Sequence, residues 1–170
     1  MDIRRLTPQD APAYRSVRIR ALGEYPEAFT SSYEEEVERP IEDTANRLAD
    51  PNITIWGAWD GEDLAGMVGL ARETRAKNRH KATVIGMYVG LEHLGSGLAR
   101  RMFAVLMDEA RQAGIEVLVL TVTDGNTTAT SLYESIGFRS FGIEPKAIKV
   151  DGRYFAKNHM VLDLTQTTTP

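Results

Sequence analysis

The residues with the clearest chemical meaning lie in the run Met87-Tyr88-Val89-Gly90-Leu91-Glu92-His93-Leu94-Gly95-Ser96-Gly97-Leu98-Ala99-Arg100-Arg101. A strand here passes through a glycine-rich turn into a helix. Free backbone N–H groups at a helix start, with glycines that let a ligand approach the main chain, make a site for phosphate groups. Arg100 and Arg101 in the first helical turn oppose the positive end of the helix dipole, and an anionic ligand would offset that penalty. The same glycines also suit a plain tight turn, so this segment alone leaves both readings open. It is not a Walker loop, because no Gly-Lys-Ser or Gly-Lys-Thr follows, and it lacks three glycines at dinucleotide spacing. The basic run Arg72, Arg75, Lys77, Arg79, His80, Lys81 competes as an anion site. A strand rising about 3.3 Å per residue from Ala82 to Val89 sets it roughly 25 Å away, at the opposite end of a sheet. It reads as a solvated hairpin tip, with a substrate rim or a subunit contact as its other uses.

These residues need elements to position them. Ile3 to Leu6 reads as a short strand, and Thr7-Pro8 offers a Thr N-cap with proline at the first position of a helix to about Leu22. Gly23 and Pro26 break it. Ser32 with Glu35 has capping-box spacing and opens a second helix that ends near Asp50 and is kinked or divided at Pro40. Ile53 to Trp59 and Leu64 to Leu70 flank Asp60-Gly61 as an antiparallel hairpin, and Ala82 to Val89 follows as a third strand. The next helix runs to about Ala113, with Leu98, Met102, Val105 and Leu106 on one face and Gly114 at the left-handed cap position. Val117 to Val122 is continuously apolar and is predicted to be buried on both faces. A helix closed by Gly137 follows, then strands Phe138 to Ile143 and Tyr154 to Leu164, joined by a loop holding Pro145 and Asp151-Gly152. The order predicts a single α/β domain over residues 1–164 and a disordered tail over 165–170. Its central sheet is mixed and mostly antiparallel, with about seven strands flanked by about four helices.

Composition narrows the chemistry. The chain has 170 residues, 42% of them hydrophobic, a formal net charge of −4 and no cysteine. A core of that size needs no disulfide or structural metal. Cysteine nucleophiles, thiolate zinc sites and iron–sulfur clusters are excluded, and His80, His93 and His159 match no metal spacing. The start Met1-Asp2-Ile3-Arg4-Arg5 has no apolar leader, and no apolar run approaches the roughly 20 residues of a membrane helix, so a cytoplasmic protein is expected. The mild acidity does not favour nucleic acid as a partner.

With these residues in view, the sequence resembles the GNAT superfamily of N-acetyltransferases. The family's acetyl-CoA loop has the form Arg or Gln, two residues, Gly, any residue, Gly or Ala, and aligns with Leu94-Gly95-Ser96-Gly97-Leu98-Ala99. A second block, Asn126-Thr127-Thr128-Ala129-Thr130-Ser131-Leu132-Tyr133-Glu134-Ser135-Ile136-Gly137-Phe138, is similar to the family's Asn, Ala, Leu-Tyr, Gly-Phe pattern. The resemblance implies that Met87, Tyr88 and Val89 pair with the pantetheine arm like an added strand. It implies that N–H groups from Leu94 to Ala99 hold the pyrophosphate, with Arg100 near the phosphates, and that Asn126 touches the pantetheine. The N-cap of the following helix is an equally good reading of Asn126. Tyr133 would be the general acid that protonates the departing coenzyme A thiolate. Its place on a face with Ala129, Leu132 and Ile136 also fits an ordinary core tyrosine. Leu94 stands where the family has Arg or Gln, and the strand Ala82 to Val89 contains no Glu or Asp, so the general base is unassigned.

The implied reaction is direct acyl transfer from acetyl-CoA to an amine in a ternary complex, since no acyl-cysteine can form. A neutral amine attacks the thioester and a backbone N–H such as that of Val89 stabilises the oxyanion. An amine pKa of about 10 requires loss of a proton first. Glu73 and His80 are candidates for that base. So are Glu34, Glu35 and Glu36, which a helix cap and dipole explain equally well. Tyr25 and Phe29, with Tyr33, either line an acceptor pocket or pack the helix joint. With nearby acids they would suit a cationic amine, on a small molecule or as the amino group of a peptide. Two rival readings stand: a non-catalytic acyl-CoA binding or sensing module, and nucleic-acid binding through Arg72 to Lys81. Edge strands near the C-terminus leave a homodimer open.

Overall fold

Strands Asp2–Arg5 (β1), Ile53–Asp60 (β2), Asp63–Arg72 (β3), Lys81–Val89 (β4), Val117–Thr123 (β5), Arg139–Val150 (β6) and Arg153–Asp163 (β7) form one sheet in the computed structural model, which describes residues 1–166. Their spatial order is β1-β2-β3-β4-β5-β7-β6, and every neighbouring pair is antiparallel except β4 with β5. The expected mixed, mostly antiparallel seven-stranded sheet is therefore present.

Among the described residues five α-helices accompany it: Ala11–Glu24 (α1), Tyr33–Glu38 (α2), Ile41–Ala49 (α3), Leu98–Gln112 (α4) and Thr127–Ile136 (α5). The count exceeds the expected four because Pro40 divides the second helix. Arg39, the residue before it, is extended with ψ 133°, as the proline ring requires. The Ser32 capping box forms as read: Glu35 N–H donates to Ser32 Oγ at 3.1 Å and Ser32 N–H to Glu35 Oε2 at 3.0 Å.

α1 and α3 cover one face of β2 to β4, where Leu6, Tyr14, Ala21, Leu48, Ile55, Met67 and Tyr88 are buried together. α4 and α5 cover the other face, over Trp56, Val68, Leu70, Val84, Leu118, Leu120, Val122 and Met160. Leu98, Met102, Phe103, Leu106 and Ala110 give α4 its apolar stripe, each of the larger ones worth roughly 1.5–3 kcal/mol on burial. Among the described residues no helix lies over the first face of β5. Thr121 is exposed, and Val117 and Val119 are only half-buried, so the continuous apolar run is not buried on both faces as expected.

The C-terminal hairpin also departs from the reading. Pro145 does not end a strand: β6 runs through it to Val150, with the register broken between Glu144 and Ile148. β6 is an edge strand, where a missing N–H costs no ladder bond. The turn is Asp151-Gly152, both at positive φ (48° and 78°), as a two-residue turn of type I′ requires. Of the tail expected to be disordered, residues 167–170 lie outside the described residues, while Thr165 turns back to hydrogen-bond Asp163. No helix among the described residues is long and apolar enough to cross a membrane.

Candidate active site

β4 and β5 are paired only at Lys81 with Val117, Ala82 with Leu118 and Thr83 with Val119. Beyond these the two central strands part into a fork, whose facing edges carry backbone groups without a ladder partner. Gly90 N–H donates to Ala65 O of β3 at 2.9 Å. Alternation along the strand therefore turns the N–H of Val89 to the opposite edge, into the gap. An extended ligand with amide groups can complete the ladder there as an added strand. A bulge shapes this edge: between Met67–Tyr88 and Gly69–Ile85, two residues of β4, Gly86 and Met87, stand against Val68 of β3, with Gly86 at φ +60°. Gly66 of β3 lets the strands close just below the fork, since a Cβ there would lie 2.9 Å from the Tyr88 carbonyl oxygen. Neither glycine carries a signal in the sequence, because their need arises from strand register.

The fork opens onto the glycine turn. Gly95 (φ +75°) and Gly97 (φ +77°) are both left-handed, conformations that cost other residues roughly 1–2 kcal/mol. Within the turn, Leu94 N–H bonds to Leu91 O and Ser96 N–H to His93 O, and Arg101 N–H closes on Gly97 O. Among the described residues, the N–H groups of Gly95, Gly97, Ala99 and Arg100 have no backbone acceptor. They form the cluster of donors at the start of a fifteen-residue helix that an anion would satisfy.

A charged chain unseen in the sequence holds this turn. Arg20 of α1 donates to both Glu92 oxygens at 2.9 and 2.7 Å and through Nε to Glu24 at 2.8 Å. Glu24 in turn accepts from the Tyr88 hydroxyl at 2.7 Å. The Arg20 hydrogen bonds draw the Glu92 carboxyl down to about 2. Burial and the Glu24 bond push the Tyr88 phenol well above its usual value. Partners separated by 72 residues leave no local pattern to read.

Tyr133, on α5, is 9% exposed and packs edge-on against Phe103 and Phe138, at ring-centroid distances of 5.6 and 6.1 Å. Burial pushes its phenol up to about 12, so it keeps its proton at neutral pH. Asn126 is the α5 N-cap, its Oδ1 accepting from Ala129 N–H at 3.1 Å. Arg100 does not point its charge at the glycine turn. Its Nη2 donates to Ser135 Oγ at 2.7 Å, near the C-terminal end of α5, where a cation is favoured. That contact explains an arginine in the first turn of α4 without a phosphate.

On the other side of the fork, Tyr25 meets Tyr88 edge-on at 6.3 Å, and Phe29 packs into the cluster under α1. Glu73 is not brought to this place. It lies in the turn between β3 and β4, bonded to Asn78 Nδ2 at 3.1 Å, and His80 is in the same turn, at the far end of β4. Glu35 is spent on its cap, and Glu36 is buried in an ion pair with Arg18 at 2.9 Å. The acids expected to attract a cationic acceptor are thus largely committed elsewhere. Lys157 of β7 was missed. It is 4% exposed, and its ammonium donates to Glu27 O (2.9 Å), Ala28 O (3.1 Å) and Thr123 Oγ1 (3.0 Å). A lysine between Phe155 and His159 on an alternating strand reads as an exposed one.

The family model for the acetyltransferase (GNAT) family matches residues 19–138, a span holding the fork, the glycine turn and α5. The chain belongs to this family. Two curated relatives are similar over part of their length. The uncharacterized N-acetyltransferase YsnE of Bacillus subtilis (strain 168) is 32% identical over 60% of this chain and 70% of its own. The N-alpha-acetyltransferase RimI of Mycobacterium tuberculosis is 33% identical over 62% of this chain and 64% of its own. The chain thus spans about two thirds of the length of these relatives. A solved structure of yncA from Salmonella typhimurium, with its cofactor acetyl-CoA, shares the fold at a TM-score of 0.80. It is 22% identical, with 100% of this chain and 97% of that one covered.

Proposed function

We propose that this GNAT protein transfers the acetyl group of acetyl-CoA directly to a primary amine, on a small molecule or at the amino end of a peptide, in a ternary complex. The observation that carries the reading is the fork between β4 and β5, whose unpaired edge leads straight to the free N–H groups of the glycine turn. The edge at Met87 to Val89 receives the amide-bearing arm, and the turn from Leu94 to Ala99 receives the pyrophosphate. Main-chain donors do this work, which is why Leu94 can replace a polar residue. The N–H of Val89 faces the gap, where it can stabilise the oxyanion as the amine nitrogen bonds to the thioester carbon. When the C–S bond breaks, Tyr133 gives its proton to the leaving sulfur and is reprotonated from solvent before the next turnover. The incoming amine loses its proton to solvent, no carboxylate of β4 being present to take it.

Thiol release from acetyl-CoA across a panel of primary amines tests this. Turnover with one class of amine is expected. Tight coenzyme binding without turnover on any amine would instead establish the rival acyl-CoA binding module, a reading favoured by the missing β4 carboxylate.

A further inference from the structure

The sheet is held together at the fork by a segment of chain that belongs to neither strand. Carrying the register of Thr83 with Val119 forward, and allowing for the extra residue in β4, sets Thr123 across the gap from Tyr88. Glu24 to Ala28 touches both sides. At one end Glu24 accepts from the Tyr88 hydroxyl and Tyr25 packs on the Tyr88 ring. At the other, Thr123 Oγ1 donates to Glu27 O at 2.7 Å, and the Lys157 ammonium spreads its three donors over Glu27 O, Ala28 O and Thr123 Oγ1. Among the described residues Lys157 has no ion-pair partner within 4 Å, so these neutral oxygens, with a longer-range attraction from the Glu27 carboxylate, offset its desolvation. A buried cation spent in this way has to be explained by what it holds.

We propose that Lys157 is a positioning residue for acetyl transfer, pinning Glu24 to Ala28 as a strap across the fork so that the acceptor amine meets the thioester end of the slot in one geometry. This rests on the transferase reading above. The strap closes the α1 side of the gap, where Thr121 and Thr123 stand on the sheet face that no helix covers, and leaves entry for the amine beside it. Arg18 fixes the continuation of the same loop from below, through Ser31 Oγ at 3.0 Å and Glu36. The pyrophosphate turn is held separately by Arg20 and Glu92. Loss of Lys157 should therefore damage handling of the acceptor while sparing the coenzyme.

Lys157→Met keeps the apolar stem and removes the ammonium, leaving Ala28 O without its partner. The expected result is a rise in the acceptor KM of about tenfold or more, since small displacements of a reacting group are costly. Acetyl-CoA affinity, by titration, should stay within about threefold. Hydrogen exchange should accelerate in residues 24–28 with β4 and α4 unchanged. Thr123→Val, a milder loss from the same knot, should shift the same readouts in the same direction and serves if Lys157→Met does not fold. Unchanged exchange in the strap, or coenzyme binding weakened as much as acceptor binding, would overturn the proposal. Absence of turnover by the unmodified chain on every amine would overturn the transferase reading and this role with it. The exchange comparison would then still report whether Lys157 holds the strap.

Discussion

A buried phenol with no charge near it keeps its proton at neutral pH, and Tyr133 is such a group. Its ring is fixed by Phe103 and Phe138, and burial holds its proton up to about pH 12. Tyr133→Phe keeps that packing and removes only the hydroxyl, so stability should change by less than about 1 kcal/mol. The turnover number should fall about a hundredfold, the lower end of what a lost general acid costs, with the acetyl-CoA KM little changed. Because the folded pKa is raised, the acid form persists throughout the alkaline range in which the acceptor amine deprotonates. The unmodified enzyme should accordingly gain activity with pH up to about 10 with no descending limb from this group, which a kcat profile from pH 6 to 10 would show. Unchanged turnover in the phenylalanine variant would remove the role. At this scale the sequence was partly legible. Tyr133 and Asn126 stand out by spacing within one helix. Lys157, Arg20 and Glu92 do not, because each acquires its meaning from a residue far along the chain.

Elements make the fork, and two contacts between them can be separated by mutation. Gly66 matters through its missing Cβ: an alanine there meets the Tyr88 carbonyl oxygen at 2.9 Å, a main-chain atom that cannot rotate away. Gly66→Ala should cost about 1–3 kcal/mol in chemical denaturation and weaken acetyl-CoA binding by shifting the β4 edge. Retained affinity at unchanged stability would show that β4 can yield. The Arg20–Glu92 clamp works on the turn instead. Glu92 titrates from 4.5 down to about 2 in the folded chain, so its stabilising contribution is complete above pH 4.5 and is lost as the pH falls toward 2. Arg20→Met should weaken acetyl-CoA severalfold at pH 7 and abolish that acid-range dependence, read by comparing acid unfolding of the two proteins. The element boundaries themselves were well signposted by caps and turns, as at Ser32 and Gly114. The exceptions share one cause. Pro145 is tolerated inside β6 because that strand lies at the edge, and β5 is open on one face because α1 and α3 stop at β4. Both follow from sheet order, which local patterns do not encode.

Across the whole molecule, the one parallel pair of a seven-stranded sheet parts in its middle, and the proposed site lies in that gap. A parallel pair that separates after three residue pairs leaves unpaired backbone in the middle of a sheet, where it is costly unless a ligand or water completes it. No sequence pattern announces that parting. The β4 bulge at Gly86 lies beyond the last pair, where the two strands part. A net charge of −4 is no obstacle to a polyanionic ligand, because the attraction comes from local N–H groups and one helix end. Binding should then stabilise the entire fold through the sheet it completes. At a hundred times its Kd, acetyl-CoA should add about 2.7 kcal/mol, a rise in melting temperature of roughly 5–10 °C for a domain of this size. Acetyl-pantetheine, which retains the strand-like arm and lacks the pyrophosphate, should fill the fork without engaging the turn. At the same concentration it should raise the melting temperature by much less. Equal shifts from both ligands would mean that the fork alone carries the binding, and that the donors at Gly95, Gly97 and Ala99 do no more than shape a turn.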